Sequence, residues 1–188
     1  MRLFVGLDLP WSLKEQLATL AWAGIDGARW VPIENYHLTL RFIGETPSYM
    51  AEEIDHALLA LRARGFALTL AGLGTFSRSG KVSALWVGVA RNPDLDHLRG
   101  KIETALQRIG LEPERRRFQP HVTLARLDNV AEARVAGFVA EHNLFRADPI
   151  VVDHFTLFSS RLGKEQAIYT PEVEYELGDA GIRIDDPA

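Results

Sequence analysis

The sequence predicts an α+β fold: a single domain, residues 1–188, made of two pseudo-equivalent lobes. Segments that read as strands outnumber helical ones and do not alternate with them singly, which argues against a doubly wound parallel sheet. The motif His37-Leu38-Thr39-Leu40-Arg41 recurs as His121-Val122-Thr123-Leu124-Ala125-Arg126, 84 residues later and close to half the chain length. No low-complexity linker separates the copies, so the repeat belongs to one domain rather than two.

The elements follow in order. Arg2 to Leu9 is short and apolar, as a buried strand is. Pro10 opens a helical pattern with Ser12 as candidate cap and Leu13, Leu17 and Leu20 on one stripe, ended by Gly24 and Gly27. His37 to Ile43 alternates. Strict alternation puts His37, Thr39 and Arg41 on one face and Leu38, Leu40 and Phe42 on the other. Ser48 to Arg64 has helical spacing through Met50, Ile54, Leu58 and Leu61. Phe66–Phe76 and Ser83–Ala90 are strands around a Ser-Arg-Ser-Gly turn. Asp94 to Ile109 is a second long helix, carried by Leu95, Leu98, Ile102 and Leu106. His121 to Leu127 alternates again, Val130 to His142 is helical, and Ile150–Ser160 and Ala167–Leu177 close the chain as strands. A helix precedes and follows each copy of the motif.

Composition narrows the function. The chain is 47% hydrophobic with a net charge of -4, so the overall basic field that grips long duplex nucleic acid is absent. A short local contact with nucleic acid is still compatible. There is no cysteine, which excludes disulfides and thiolate metal sites. No run approaches ~18 consecutive apolar residues, and Asp8 and Pro10 interrupt the N-terminal one, so neither a membrane span nor a signal peptide is expected. A cytoplasmic monomer is the expectation.

The repeated motif carries the chemistry. Residues two apart on a strand share a face, so each copy presents one imidazole and one hydroxyl: His37 with Thr39, His121 with Thr123. If the strands lie side by side about a pseudo-twofold axis, these four groups face one another across a gap. A neutral imidazole takes a proton from water, a charged one gives a proton to a leaving oxygen, and hydroxyls donate to phosphate oxygens as charge builds. Histidine supplies both states near neutral pH. One such motif is usually only a half-exposed polar strand face; two, symmetrically placed, point to phosphodiester chemistry. Neither copy has an acidic residue on its polar face or HExxH spacing, so neither a metal nor another cofactor is expected.

The paired His-x-Thr-x motifs resemble the signature of the 2H phosphoesterase superfamily, and within it the RNA 2′,3′-cyclic phosphodiesterases once described as 2′-5′ RNA ligases. The likeness extends to Arg2-Leu3-Phe4-Val5 with Leu9-Pro10, Arg29-Trp30-Val31, the continuation Phe42-Ile43-Gly44, Leu85-Trp86-Val87-Gly88-Val89, Phe118-Gln119-Pro120 and Phe155-Thr156-Leu157-Phe158-Ser159-Ser160. It implies two lobes with antiparallel sheets flanking a cleft and helices outside. It also implies metal-free hydrolysis of RNA 2′,3′-cyclic phosphate ends, or of small cyclic nucleotides, to 2′-phosphomonoesters. His37 is then the proton donor and His121 the proton acceptor.

Around the pair, Arg126 faces away by strict alternation, but a bulge at the strand end would bring its guanidinium to a phosphate. Phe42 is open to two readings, stacking on a base or packing in the core. Trp30 is a candidate for the cleft wall or a packing residue. Arg115-Arg116-Arg117, Arg78 and Lys81 are candidate backbone contacts or solvated surface. His56, His97, His142 and His154 read as structural or exposed. The competing functions are a non-catalytic binder of nucleotides or RNA ends, and RNA 2′-5′ end-joining by the reverse reaction. No GxxxxGK loop is present for an ATP-driven ligase.

Overall fold

The computed structural model describes residues 1–164 and 166–181. Strand β1 (Arg2–Asp8) leads into helix α1 (Trp11–Ala23), then β2 (Ala28–Trp30), a 3₁₀ turn (Ile33–Asn35), the motif strand β3 (His37–Glu45) and helix α2 (Ser48–Leu59). Next come β4 (Phe66–Leu68), β5 (Leu70–Arg78), β6 (Lys81–Val89), helix α3 (Pro93–Arg108) and the second motif strand β7 (His121–Leu127). Helix α4 (Glu132–His142) and strands β8 (Ile150–Val152), β9 (His154–Leu162) and β10 (Ala167–Glu176) complete the described chain. The α+β class holds.

The main sheet has the order β10-β9-β1-β3-β7-β6-β5, with β2 also on β7, and all its pairings are antiparallel. The strands expected as two sheets are therefore joined. The seam is one residue pair, Leu38 opposite Val122, both fully buried. Beyond it the strands part, and β2 takes the free edge of β7 from Ala125 to Leu127. One core of leucine, isoleucine, valine and phenylalanine runs under both halves. Truncating a residue as buried as Leu38 to Ala costs about 2–5 kcal/mol.

Several sequence expectations change. Ser12 caps nothing: Pro10 holds the N-cap position of α1 without a side-chain bond. Helix α2 stops at Leu59 rather than Arg64, because residues 63–65 bond to Gly178 instead: Gly65 N donates to Gly178 O at 2.7 Å, and Gly178 N to Ala63 O at 2.9 Å. Phe66–Phe76 breaks at Thr69, and β4 leaves to pair with β8 in a separate two-stranded sheet. Strand β2 was not expected at all; three residues are too short to show a period.

The largest correction lies in β3. The β1–β3 register slips between Val5 and Gly6, whose partners are Arg41 and Thr39, so Leu40 is an extra residue in a bulge. The slip resets the alternation. Arg41, expected beside the histidine, turns inward and is buried, while Phe42 turns outward. In β7 the same slip occurs at Leu124, between the pairs Leu85–Ala125 and Trp86–Thr123. The bulges sit at matching positions, and each swaps the face of the residues just after it; in β3 the register slips once more at Ile43.

Candidate active site

Up to the bulges, alternation sends Leu38, Leu40, Val122 and Leu124 into the core and leaves His37, Thr39, His121 and Thr123 on the opposite face. These four line one cleft of about 890 Å³. The antiparallel register at Leu38–Val122 sets His37 abreast of Thr123 and Thr39 abreast of His121.

Each imidazole is fixed in the same way. His37 Nδ1 lies 2.8 Å from the Asn35 carbonyl and His121 Nδ1 lies 2.6 Å from that of Gln119. A carbonyl only accepts, so Nδ1 carries the proton and donates, leaving Nε2 free for a substrate. Aromatic rings wall both. Tyr169 meets His37 edge-on at 4.8 Å and Phe4 lies 4.9 Å from it. Phe76 meets His121 edge-on at 4.8 Å, with Trp86 at 5.7 Å. Trp86 lies flat over Gly74, where a Cβ would come within 2.3 Å of the indole.

Burial by these walls holds both histidines below their ordinary pKa. The smaller influences differ. For His37 the Asn35 bond and the Asp8 carboxylate favour the charged form, opposed by Lys14 and His121. For His121 the Gln119 bond favours charge and Arg126 opposes it. Asp8 is the cross-strand partner of His37 and is paired with the buried Lys14 at 2.8 Å.

The other expected residues fall as follows. Arg126 lines the cleft through the bulge at Leu124. Phe42 lines it with 38% of its surface exposed, stacked parallel to Phe4 at 6.2 Å and under the Arg2 guanidinium at 5.1 Å, so it is not a core residue. Trp30 touches the cleft, but its ring packs on Phe138 of α4 at 5.9 Å. Arg116 and Arg117 line the cleft, whereas Arg78 and Lys81 face each other at the β5–β6 turn, outside the lining. His56, His97, His142 and His154 are also outside it. Among the described residues, no three His, Cys, Asp or Glu side chains converge as a metal would require.

Sequence reasoning missed the aromatic walls, since Phe4, Phe76, Trp86 and Tyr169 come from four different strands. It also missed Arg41, which joins Glu103 of α3 and donates to the carbonyls of Phe42 and Glu112. That network ties down the loop that carries Arg116, Arg117 and Gln119.

The family model of the 2′-5′ RNA ligase superfamily matches residues 15–164. The chain is similar to the RNA 2′,3′-cyclic phosphodiesterase of Thermotoga maritima, 33% identical over 184 residues, with 94% of each chain covered. It is similar to that of Aeropyrum pernix, 33% identical over 150 residues, covering 79% of this chain and 85% of the relative. The crystal structure of E. coli LigT in apo form aligns with a TM-score of 0.78 at 28% identity, over 94% of this chain and 97% of that one. LigT complexed with 3′-AMP aligns at 0.77 with 27% identity, over the same shares of the two chains.

Proposed function

The chain belongs to the 2′-5′ RNA ligase superfamily, and on that footing we propose that it hydrolyses RNA 2′,3′-cyclic phosphate ends, or small cyclic nucleotides, to 2′-phosphomonoesters. The observation that carries this reading is the pair of imidazoles in one cleft, each bonded through Nδ1 to the carbonyl two residues before it and each abreast of the other motif's threonine. Relatives named RNA 2′,3′-cyclic phosphodiesterase support it, as does the complex of LigT with 3′-AMP. Two matching bulges and two matching histidine bonds support a domain of two pseudo-equivalent halves.

In this mechanism His121 Nε2 takes a proton from water, whose oxygen bonds to phosphorus. The P–O3′ bond breaks as His37 Nε2 gives its proton to O3′, leaving the phosphate on O2′. Thr39 and Thr123 donate to the non-bridging oxygens, where charge grows. Both histidines rest below their ordinary pKa, so His37 needs help to be charged. Asp8 beside it and the anionic substrate in front supply that. Arg126 beside His121 favours the neutral base. Asp8 thus favours a charged His37 against Lys14 and His121, while the assignment of acid to His37 and base to His121 follows what the family resemblance implies.

The test is a 2′,3′-cyclic-phosphate oligonucleotide incubated with the protein in EDTA, with products separated by phosphate position. A 2′-phosphomonoester end is expected. Binding without turnover, or turnover abolished by EDTA and restored by zinc or manganese, contradicts the proposal.

A further inference from the structure

Five residues after His37 stands Phe42, and five after His121 stands Arg126. The two bulges bring both onto the catalytic face. Because β3 and β7 run antiparallel, matching positions lie at opposite ends of the cleft. One end carries Phe42, under the Arg2 guanidinium, and the other carries Arg126. At the latter end Arg126 pairs directly across the strands with Arg29 of β2, and both line the cleft. Like charges directly opposite on a sheet are destabilising. Asp128 pairs with Arg29, with both side chains about 70% exposed, and so relieves little. Among the described residues Arg126 has no acidic partner. Two neighbouring guanidiniums facing a cleft suit one bridging oxyanion.

The stereochemistry of an RNA end fits this arrangement. A 2′,3′-cyclic phosphate sits on the C2′–C3′ edge of the ribose. The base leaves from C1′ and the 5′-ward chain from C4′, on opposite sides of that edge. With the cyclic phosphate at the two histidines, the base and the next phosphate point to opposite ends. A base stacks on an aromatic ring and a phosphate does not. We propose that Arg29, together with Arg126, holds the phosphodiester 5′ to the terminal ribose while the terminal base lies at Phe42, so that the cleft selects oligonucleotide ends over cyclic mononucleotides. This rests on the function proposed above.

The test compares a dinucleotide ending in a 2′,3′-cyclic phosphate with the same dinucleotide whose internal linkage is an uncharged methylphosphonate. The wild-type protein should favour the charged dinucleotide in kcat/KM by about tenfold, the worth of a modest charge-assisted contact. In Arg29→Gln that ratio should fall to near one. A wild-type ratio near one overturns the proposal even if both dinucleotides are hydrolysed, and the function itself then stands. An unchanged ratio in Arg29→Gln overturns the role of Arg29. Hydrolysis of neither dinucleotide overturns the underlying function instead.

Discussion

Arg41 Nε lies 2.8 Å from a carboxylate oxygen of Glu103, with side-chain exposures of 9% and 11%, so a nearly dry ion pair fastens β3 to α3. Burial pushes the Glu103 carboxyl up, but bonds from Gln107 Nε2 and Glu114 N and the charges of Arg41 and Arg99 hold it below the usual range. Arg41→Ala should lower unfolding free energy by about 1.5–3 kcal/mol, because Glu103 loses its nearest cation while keeping Arg99 and its two hydrogen bonds. Urea denaturation of the two proteins measures this. A loss under about 1 kcal/mol would show that the pair is not needed.

His37→Ala and His121→Ala should each reduce turnover of a cyclic phosphate by roughly 10²–10⁴, the range for a positioned acid or base. The double variant should fall far short of the product of the two, since the groups act as a unit. Steady-state kinetics on all three variants checks both statements. Near-normal activity in either single variant removes the two-histidine mechanism.

The pH profile of kcat/KM should be bell-shaped, with its maximum on the acid side of ~6.5, histidine's ordinary value. The sign follows from burial, which lowers both groups. A lowered His121 stays an active base to lower pH, and a lowered His37 loses its acid proton earlier as pH rises. Asp8→Asn removes a carboxylate that favours charged His37, so the alkaline limb should move further down and activity at neutral pH should fall. Movement of the acidic limb instead would make His37 the base.

Direction can be read from a leaving group. A substrate with sulfur in place of the bridging 3′-oxygen expels a thiolate, which needs no proton. His37→Ala should recover most of its lost rate on that substrate, and His121→Ala should stay slow. Recovery by His121→Ala alone reverses the assignment.

The two histidine–threonine pairs were legible in the sequence because each sits within three residues of strand, where period two leaves little choice of face. Past Thr39 and Thr123 the period fails. Arg41 and Phe42 exchange faces, and Arg126 reaches the cleft, because Leu40 and Leu124 are each absorbed in a bulge that only the partner strand reveals. A bulge has no residue signature comparable to a glycine turn. The helix stripes of α1 and α3 were readable from Leu13, Leu17, Leu98 and Ile102 for the same local reason. The end of α2 was not, since it is decided by bonds to Gly178, more than a hundred residues away. The aromatic walls share that obstacle: Tyr169 faces His37 only because β10, β9 and β1 are neighbours.

Among the described residues the outermost strand, β10, has one bonded neighbour, β9, and its register is interrupted between Pro171 and Val173. Pro171 has no N–H to offer, and Glu172, Glu174 and Glu176 are exposed along the same stretch. An unpaired strand edge is otherwise a template on which a second copy adds by main-chain bonding, the first step of edge-to-edge aggregation. Here a copy approaching β10 would meet a missing donor, a kinked ladder and a row of carboxylates like its own, so the sheet resists polymerising at this edge.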